Sequence, residues 1–456
     1  MNSVHVRHAL LPDGWAENVR IDWDEDGTIT AVAAGVTPAA GEKLAIAIPG
    51  MVNLHSHAFQ RAMAGLTEVG MESAGGDSED SFWTWRELMY RFAGRLSPEQ
   101  LEAVAAQLFV DCLRHGYTSV CEFHYLHRAA DGTAYARPAE MAERVAQAAR
   151  ATGMGLTMLP VMYSHGGFGG QPLGERQRRF ASDVDAVLHM VDALAPLRGG
   201  QFEVGAAPHS LRAATLDQIT ALAHNLPAGR PLHIHIAEQQ AEVDACLTQH
   251  GQRPVALLLG AIDVDARWCL VHATHVDAAE VAGLAASGAV AGICPTTEAN
   301  LGDGLFPFGA YLAAGGRFGI GSDSHVSHSP VEELRWLEYG QRLRQQRRNI
   351  AVLPGQRRVG DFLWQAALAG GAQASGRPVG QLQVGCRADL LVLDAQHPNL
   401  DGAPVNDILG LFLFAGNDNL VRDVMVGGRW VVRAGRHAEQ DAIARRYRAA
   451  LAQLRE

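Results

Sequence analysis

The chain is poor in lysine: Lys43 is alone against 37 arginines in 456 residues. Chemistry that needs a lysine deep in a site therefore has a single candidate. Cysteine is scarce too. Six are scattered at positions 112, 121, 246, 269, 294 and 386 with no CxxC pair, which leaves no disulfide framework and fits reduced thiols in a cytoplasm. No stretch approaches the ~20 apolar residues of a membrane span. The start, Met-Asn-Ser-Val-His-Val-Arg-His, lacks the basic-then-apolar order of a signal peptide. Positive charge is also short: 49 acidic residues against 38 basic ones give −11, which argues against nucleic acid and anionic membranes as partners. The whole-protein field repels an anionic substrate, so local arginines must attract it.

What is present is a large apolar fraction, 48%, enough for one large barrel with a smaller domain beside it. Residues 1–46 alternate like short strands with Asp-Gly turns. Residues 388–394 and 424–432 do the same, the second folded at a Gly-Gly pair. The expected arrangement is a composite β-sandwich built from residues 1–46 and 381–436, with a C-terminal helix over 437–456. Residues 47–380 alternate apolar strand runs with Ala/Leu-rich helical stretches such as 98–114 and 138–151. Eight runs are counted, near 46–54, 119–123, 156–161, 202–207, 232–236, 268–272, 290–294 and 318–321, which predicts an α/β fold with a (β/α)8 TIM-like barrel. Residues 71–80 read as a polar loop, and the glycine-rich 165–170 reads as a lid, matching no phosphate-binding loop.

The first barrel run ends Asn-Leu-His55-Ser-His57. In an extended strand, residues i and i+2 face the same side, so both imidazoles can aim at one point. Two neutral imidazoles at one point suit a divalent metal. Run 5 ends His233-Ile-His235-Ile-Ala-Glu238, run 6 ends His272-Ala-Thr-His275, and run 8 continues Ser-Asp323-Ser-His325. A core histidine or an N-cap aspartate accounts for any one of these alone. In a barrel, however, all four strand ends open on the face that carries the chemistry.

This set resembles the amidohydrolase superfamily, marked by HxH after strand 1, His after strands 5 and 6 and Asp after strand 8. The tail motif Val-Gly-Cys-Arg-Ala-Asp-Leu-Leu-Val-Leu-Asp is similar to one these proteins carry after the barrel. His235-Ile-Ala-Glu238 looks like the HxxE of the deaminase branch. The resemblance implies metal ligation by His55, His57, His235 and Asp323, with Glu238, His272 and Asp323 catalytic, while His275 and His325 are read as structural. Dinuclear members bridge two ions with a carboxylated lysine; with Lys43 as the sole lysine, one divalent ion, zinc by its ligand set, is expected. Such an ion lowers the pKa of bound water from ~15.7 toward ~7. Attack of that hydroxide on an amidine-like carbon, with Glu238 moving protons, expels ammonia.

Arg86, Tyr125, His209 and Arg212 fall in strand-end loops, and arginine's bidentate fork suits carboxylates. Longer segments, Asn-Leu-His-Ser-His-Ala-Phe-Gln-Arg-Ala-Met and Tyr-Ser-His-Gly-Gly-Phe-Gly-Gly-Gln-Pro among them, resemble superfamily members that convert N-formimino-L-glutamate and water to N-formyl-L-glutamate and ammonia. That resemblance implies a small dianionic substrate held by those four residues, with Gln60 near its formimino group, and a cytoplasmic homodimer. The competing readings are a mononuclear deaminase of a heterocycle such as guanine, cytosine or an aminotriazine, and a catalytically silent barrel serving assembly.

Overall fold

A computed structural model describes residues 2–37, 43–69 and 82–455, with the side chains of 82–84 set aside. The loop expected at 71–80 lies outside the described residues. The strands of both termini join in one hydrogen-bonded order: Arg436–His437, Arg429–Arg433, Val421–Val426, Leu390–Leu393, Lys43–Pro49, Asn2–Leu11, Gly14–Trp23, Ile29–Ala33. This is the composite β-sandwich body. Alternation explains it: Val4, Val6, Val19, Ile21 and Trp23 turn inward to meet Leu390, Val392 and Met425 in a small core of their own.

The barrel strands, numbered here in chain order, are β1 Met51–Ser56, β2 Tyr117–His124, β3 Gly155–Met162, β4 Phe202–Val204, β5 Leu232–Ile236, β6 Trp268–His272, β7 Val290–Ile293 and β8 Arg317–Ile320. Every ladder between neighbours is parallel. Single bridges carry the ring across its two seams, Ala206 to Leu232 between β4 and β5, and Ser56 to Asp323 between β1 and β8. All eight residues of β2 and of β3 are buried, as expected for strands covered on both faces.

The first run differs from expectation. Residues 46–54 are not one strand: Lys43–Pro49 pairs with Asn2–Leu11 and Leu390–Leu393 in the terminal sheet, and β1 begins only at Met51. Gly50 makes the hand-over, its N–H bonded to Asp389 and the next one to Gly116. A Cβ there lies 2.2 Å from the Thr118 side chain, so only glycine lets the chain pass so close. No polarity change marks the switch, because both strands are buried.

Helices follow the strands and cover the ring. Pro98–His115 starts at a Ser97/Gln100 capping box and stops at the left-handed Gly116, and Gln440–Arg455 packs on it from the C-terminus. The glycine-rich 165–170 closes as a tight turn, with Gly166 N–H donating to the Gln171 carbonyl at 2.8 Å. Among the described residues no helix is long and apolar enough to cross a membrane.

Candidate metal centre and active site

The strand ends converge as barrel geometry requires. His57 Nδ1 donates to the Phe123 carbonyl at 2.8 Å and His235 Nδ1 to the His209 carbonyl at 3.1 Å. These bonds place the proton on Nδ1 and turn each Nε2 lone pair inward. There His235 Nε2 stands 2.9 Å from His55 Nε2, and Asp323 Oδ1 lies 3.5 Å from His55 Nε2 and 3.3 Å from His57 Nε2. Donors 2.0–2.2 Å from a tetrahedral zinc lie about 3.4 Å apart. The spacing therefore fits one ion. Burial, reinforced by the neighbouring imidazoles, holds His55 and His235 well below the usual histidine range, and burial takes His57 down to about 3. Neutral rings keep their lone pairs for a metal.

His272 behaves differently. Burial disfavours its cation, but Glu238, the Glu298 bond and Asp323 outweigh burial and raise it to about 10. Its Nδ1 is 3.3 Å from Glu298 Oε1, and its Nε2 is 3.8 Å from both Glu238 Oε1 and Asp323 Oδ2. A protonated imidazole is a donor, so His272 faces the reacting centre as a cation. His272, Cys294 and Glu298 also lie at ligand spacing. Burial lifts the Cys294 thiol well above its usual value, and an un-ionised thiol beside a protonated imidazole is no ligand set.

Asp323 is raised to about 7, first by burial, then by Glu238 and Glu298, against His272. Its backbone is in the left-handed region, φ +50°, as are Ala237 (+49°), His272 (+69°), Ala273 (+48°) and His325 (+61°). Such conformations cost on the order of 1–3 kcal/mol each in non-glycine residues. Their gathering at the strand ends marks where the fold tolerates strain to aim side chains.

Above this floor opens a cavity of about 50 Å³. Every residue read from the sequence as catalytic, substrate-holding or metal-ligating lines it except His55, which lies beneath with no exposure. Gln60 Nε2 donates to Tyr125 Oη at 2.8 Å. The other end of that amide, Oε1, is buried without a partner among the described residues. Arg212 faces Glu238 Oε2 across 3.9 Å and Glu242 Oε2 across 3.8 Å. Neither separation is a hydrogen bond, so its planar donors remain available. Arg86 stands over the Tyr90 ring, Cζ 5.6 Å from its centroid. His209, kept neutral by burial and by Arg212, packs 4.5 Å from Tyr163.

Sequence reasoning missed Glu122, Glu242, Glu298 and the aromatic wall of Trp85, Tyr90, Tyr163 and Phe180. Signals existed for some. Glu122 interrupts an apolar run, and Glu298 lies in the first turn of the helix that follows strand 7. His275, read from the sequence as structural, donates from Nε2 to the Asp303 carbonyl at 2.7 Å.

Residues 46–431 match the family described as Amidohydrolase family, and residues 1–45 match the one described as Formimidoylglutamate deiminase HutF, N-terminal domain. Over 459 residues, with all of each protein covered, the chain is 56% identical to the formimidoylglutamate deiminase of Pseudomonas aeruginosa. The chain belongs to the formimidoylglutamate deiminase family of amidohydrolases. Its membership in this deiminase family agrees with the shared architecture. The crystal structure of an amidohydrolase from Brucella melitensis, 46% identical with 100% of both chains covered, superposes with a TM-score of 0.94. A zinc-bound adenosine deaminase from Xanthomonas campestris, only 20% identical, has the same fold with a TM-score of 0.81, covering 99% of this chain and 98% of its own.

Proposed function

We propose that this site hydrolyses N-formimino-L-glutamate to N-formyl-L-glutamate and ammonia. The observation that carries the reading is one cavity with a three-histidine and aspartate floor and arginines on its walls. His55, His57, His235 and Asp323 are the ligands in this reading. A zinc ion held there lowers the pKa of a water from about 15.7 toward about 7.

The protein's own groups then divide the work. Asp323, beside His55 and His57 on the floor, takes a proton from the attacking water. A C–O bond forms at the formimino carbon, and the former C=N nitrogen must be protonated to leave. Glu238, on the same floor and 3.8 Å from His272 Nε2, carries that proton to the nitrogen, and the hydroxyl proton of the adduct follows by the same route, so that the nitrogen leaves as ammonia while the hydroxyl becomes the formyl oxygen. His272, 3.8 Å from Asp323 Oδ2, is placed to hydrogen-bond the attacking oxygen and hold it in line with the formimino carbon. The Gln60 Oε1 acceptor receives a formimino N–H, which otherwise leaves it unsatisfied. Arg86 and Arg212 grip the two carboxylates, with Tyr125 and His209 beside them. Breaking the C–N bond releases ammonia and leaves the formyl amide. A cytoplasmic homodimer with a single zinc per chain belongs to the same reading.

The test is ammonia release by the purified, zinc-loaded protein from N-formimino-L-glutamate, with guanine, cytosine and an aminotriazine run in parallel. Turnover of the formimino compound alone is expected. Turnover of a base instead overturns the carboxylate grip.

A further inference from the structure

Glu122 has no part in the reaction just derived, yet it is among the most enclosed carboxyls of the chain. It lies inside β2 with 1% exposure, and no arginine or lysine pairs with it among the described residues. Its partners lie at the end of β1 and just beyond it. Ser56 Oγ–H donates to Oε2 at 2.5 Å and Ala58 N–H to Oε1 at 2.8 Å. The next residue of β2, Phe123, accepts from His57 Nδ1 at 2.8 Å. Three consecutive residues, 56 to 58, are thus tied to a pair of consecutive residues of β2, and the middle one is His57. Ser56 Oγ also meets His325 Nε2 at 2.9 Å, two residues past Asp323.

A carboxyl buried without a cation is costly to keep, so the fold must get something from it. The Phe123 bond sets the ring rotation of His57. It fixes where Nε2 points only if the backbone on either side is also held.

We propose that Glu122 is a positioning residue of the metal centre: bonded on both flanks of His57, its carboxyl sets that imidazole's reach toward the ion. Through Ser56 and His325 it also ties the turn bearing the histidine pair to the loop bearing Asp323. The inference rests on the metal reading above. Burial lifts the Glu122 carboxyl to about 8 against its bonds from Ser56 and Ala58. A neutral side chain of the same shape therefore suits the position.

The test is zinc affinity by competition with a chromophoric chelator, beside the melting temperature of the metal-free protein, in the full chain and in Glu122→Ala and Glu122→Gln. Losing outer partners of metal ligands typically weakens binding by about 10–100-fold, and that loss is expected for Glu122→Ala. Glu122→Gln keeps an acceptor for Ala58 and reverses only the Ser56 bond, so it restores most of the affinity. Should the alanine variant fail to fold, Ser56→Ala removes one bond of the set and is expected to weaken zinc by a smaller factor. Unchanged affinity in Glu122→Ala, or in Ser56→Ala where that variant stands in for it, overturns the proposal, as does a glutamine variant as weak as the alanine one. Titration of the parent chain comes first: if it takes up no zinc, the metal reading itself falls.

Discussion

Arg212→Met probes both halves of the site at once. In the free protein the guanidinium faces Glu238 Oε2 at 3.9 Å and Glu242 Oε2 at 3.8 Å, with 15% of its side chain exposed. At an effective dielectric of ~20, unit charges at such a distance attract by about 4 kcal/mol. Its charge is therefore committed to these carboxylates until a substrate carboxylate arrives. Methionine keeps the apolar stem and removes the charge. Losing one partner of a desolvated charge pair costs roughly 2–5 kcal/mol, which is roughly a 30- to 5,000-fold fall in kcat/KM. Part of that loss comes from Glu238 and Glu242 being left facing each other, and this part is independent of substrate charge. Formamidine, which has the reacting group and no carboxylate, isolates it. The assay is ammonia release from N-formimino-L-glutamate and from formamidine by parent and variant. The expected loss is much larger for the dianion than for formamidine. Equal losses on both refute the carboxylate grip.

Glu238→Gln should keep its zinc and lose kcat by ~10² or more, as measured by metal analysis and ammonia release; near-normal turnover removes Glu238 from proton transfer. Lys43→Met should leave one zinc per chain and parental activity, since Lys43 lies on a terminal-sheet strand away from the cavity; loss of metal contradicts the mononuclear reading. Glu122, Asp323 and His272 rise in the metal-free fold from 4.5, 3.8 and 6.5 to about 8, 7 and 10. A raised pKa gives stability that is full below the unfolded value and lost as pH climbs through the folded one. The histidines held low by burial, His55, His57, His209 and His235 among them, act with the opposite sign below about pH 6.5. Urea unfolding of the metal-free protein should therefore show stability falling between about pH 7 and 10; a rising curve across that window contradicts these environments.

The barrel was legible because its strands are short apolar runs that end in polar, chemistry-bearing residues. The runs at 232–236 and 268–272 coincide with β5 and β6. The histidine pair was legible because a strand's period of two is a local property. The division at Gly50 was not, since two buried strands in different sheets have the same composition on either side of it. The partners of the predicted residues were hidden for another reason. Glu122 reaches Ser56 across 66 positions, and His272 reaches Glu298 across 26. Such pairings are set by how the ring closes. Arg212 could be read as a cation at the barrel mouth, but its facing carboxylates, Glu238 after β5 and Glu242 in the helix that follows, appear only in three dimensions.

The central claim is that water adds to the formimino carbon and the terminal nitrogen leaves. The measurement that tests it most directly is product identity in ¹⁸O-water, with N-formimino-L-glutamate labelled with ¹³C at the formimino carbon. The account predicts ammonia and N-formyl-L-glutamate, with the label in the formyl oxygen. Glutamate and formamide, the products of cleaving the other C–N bond, would contradict it.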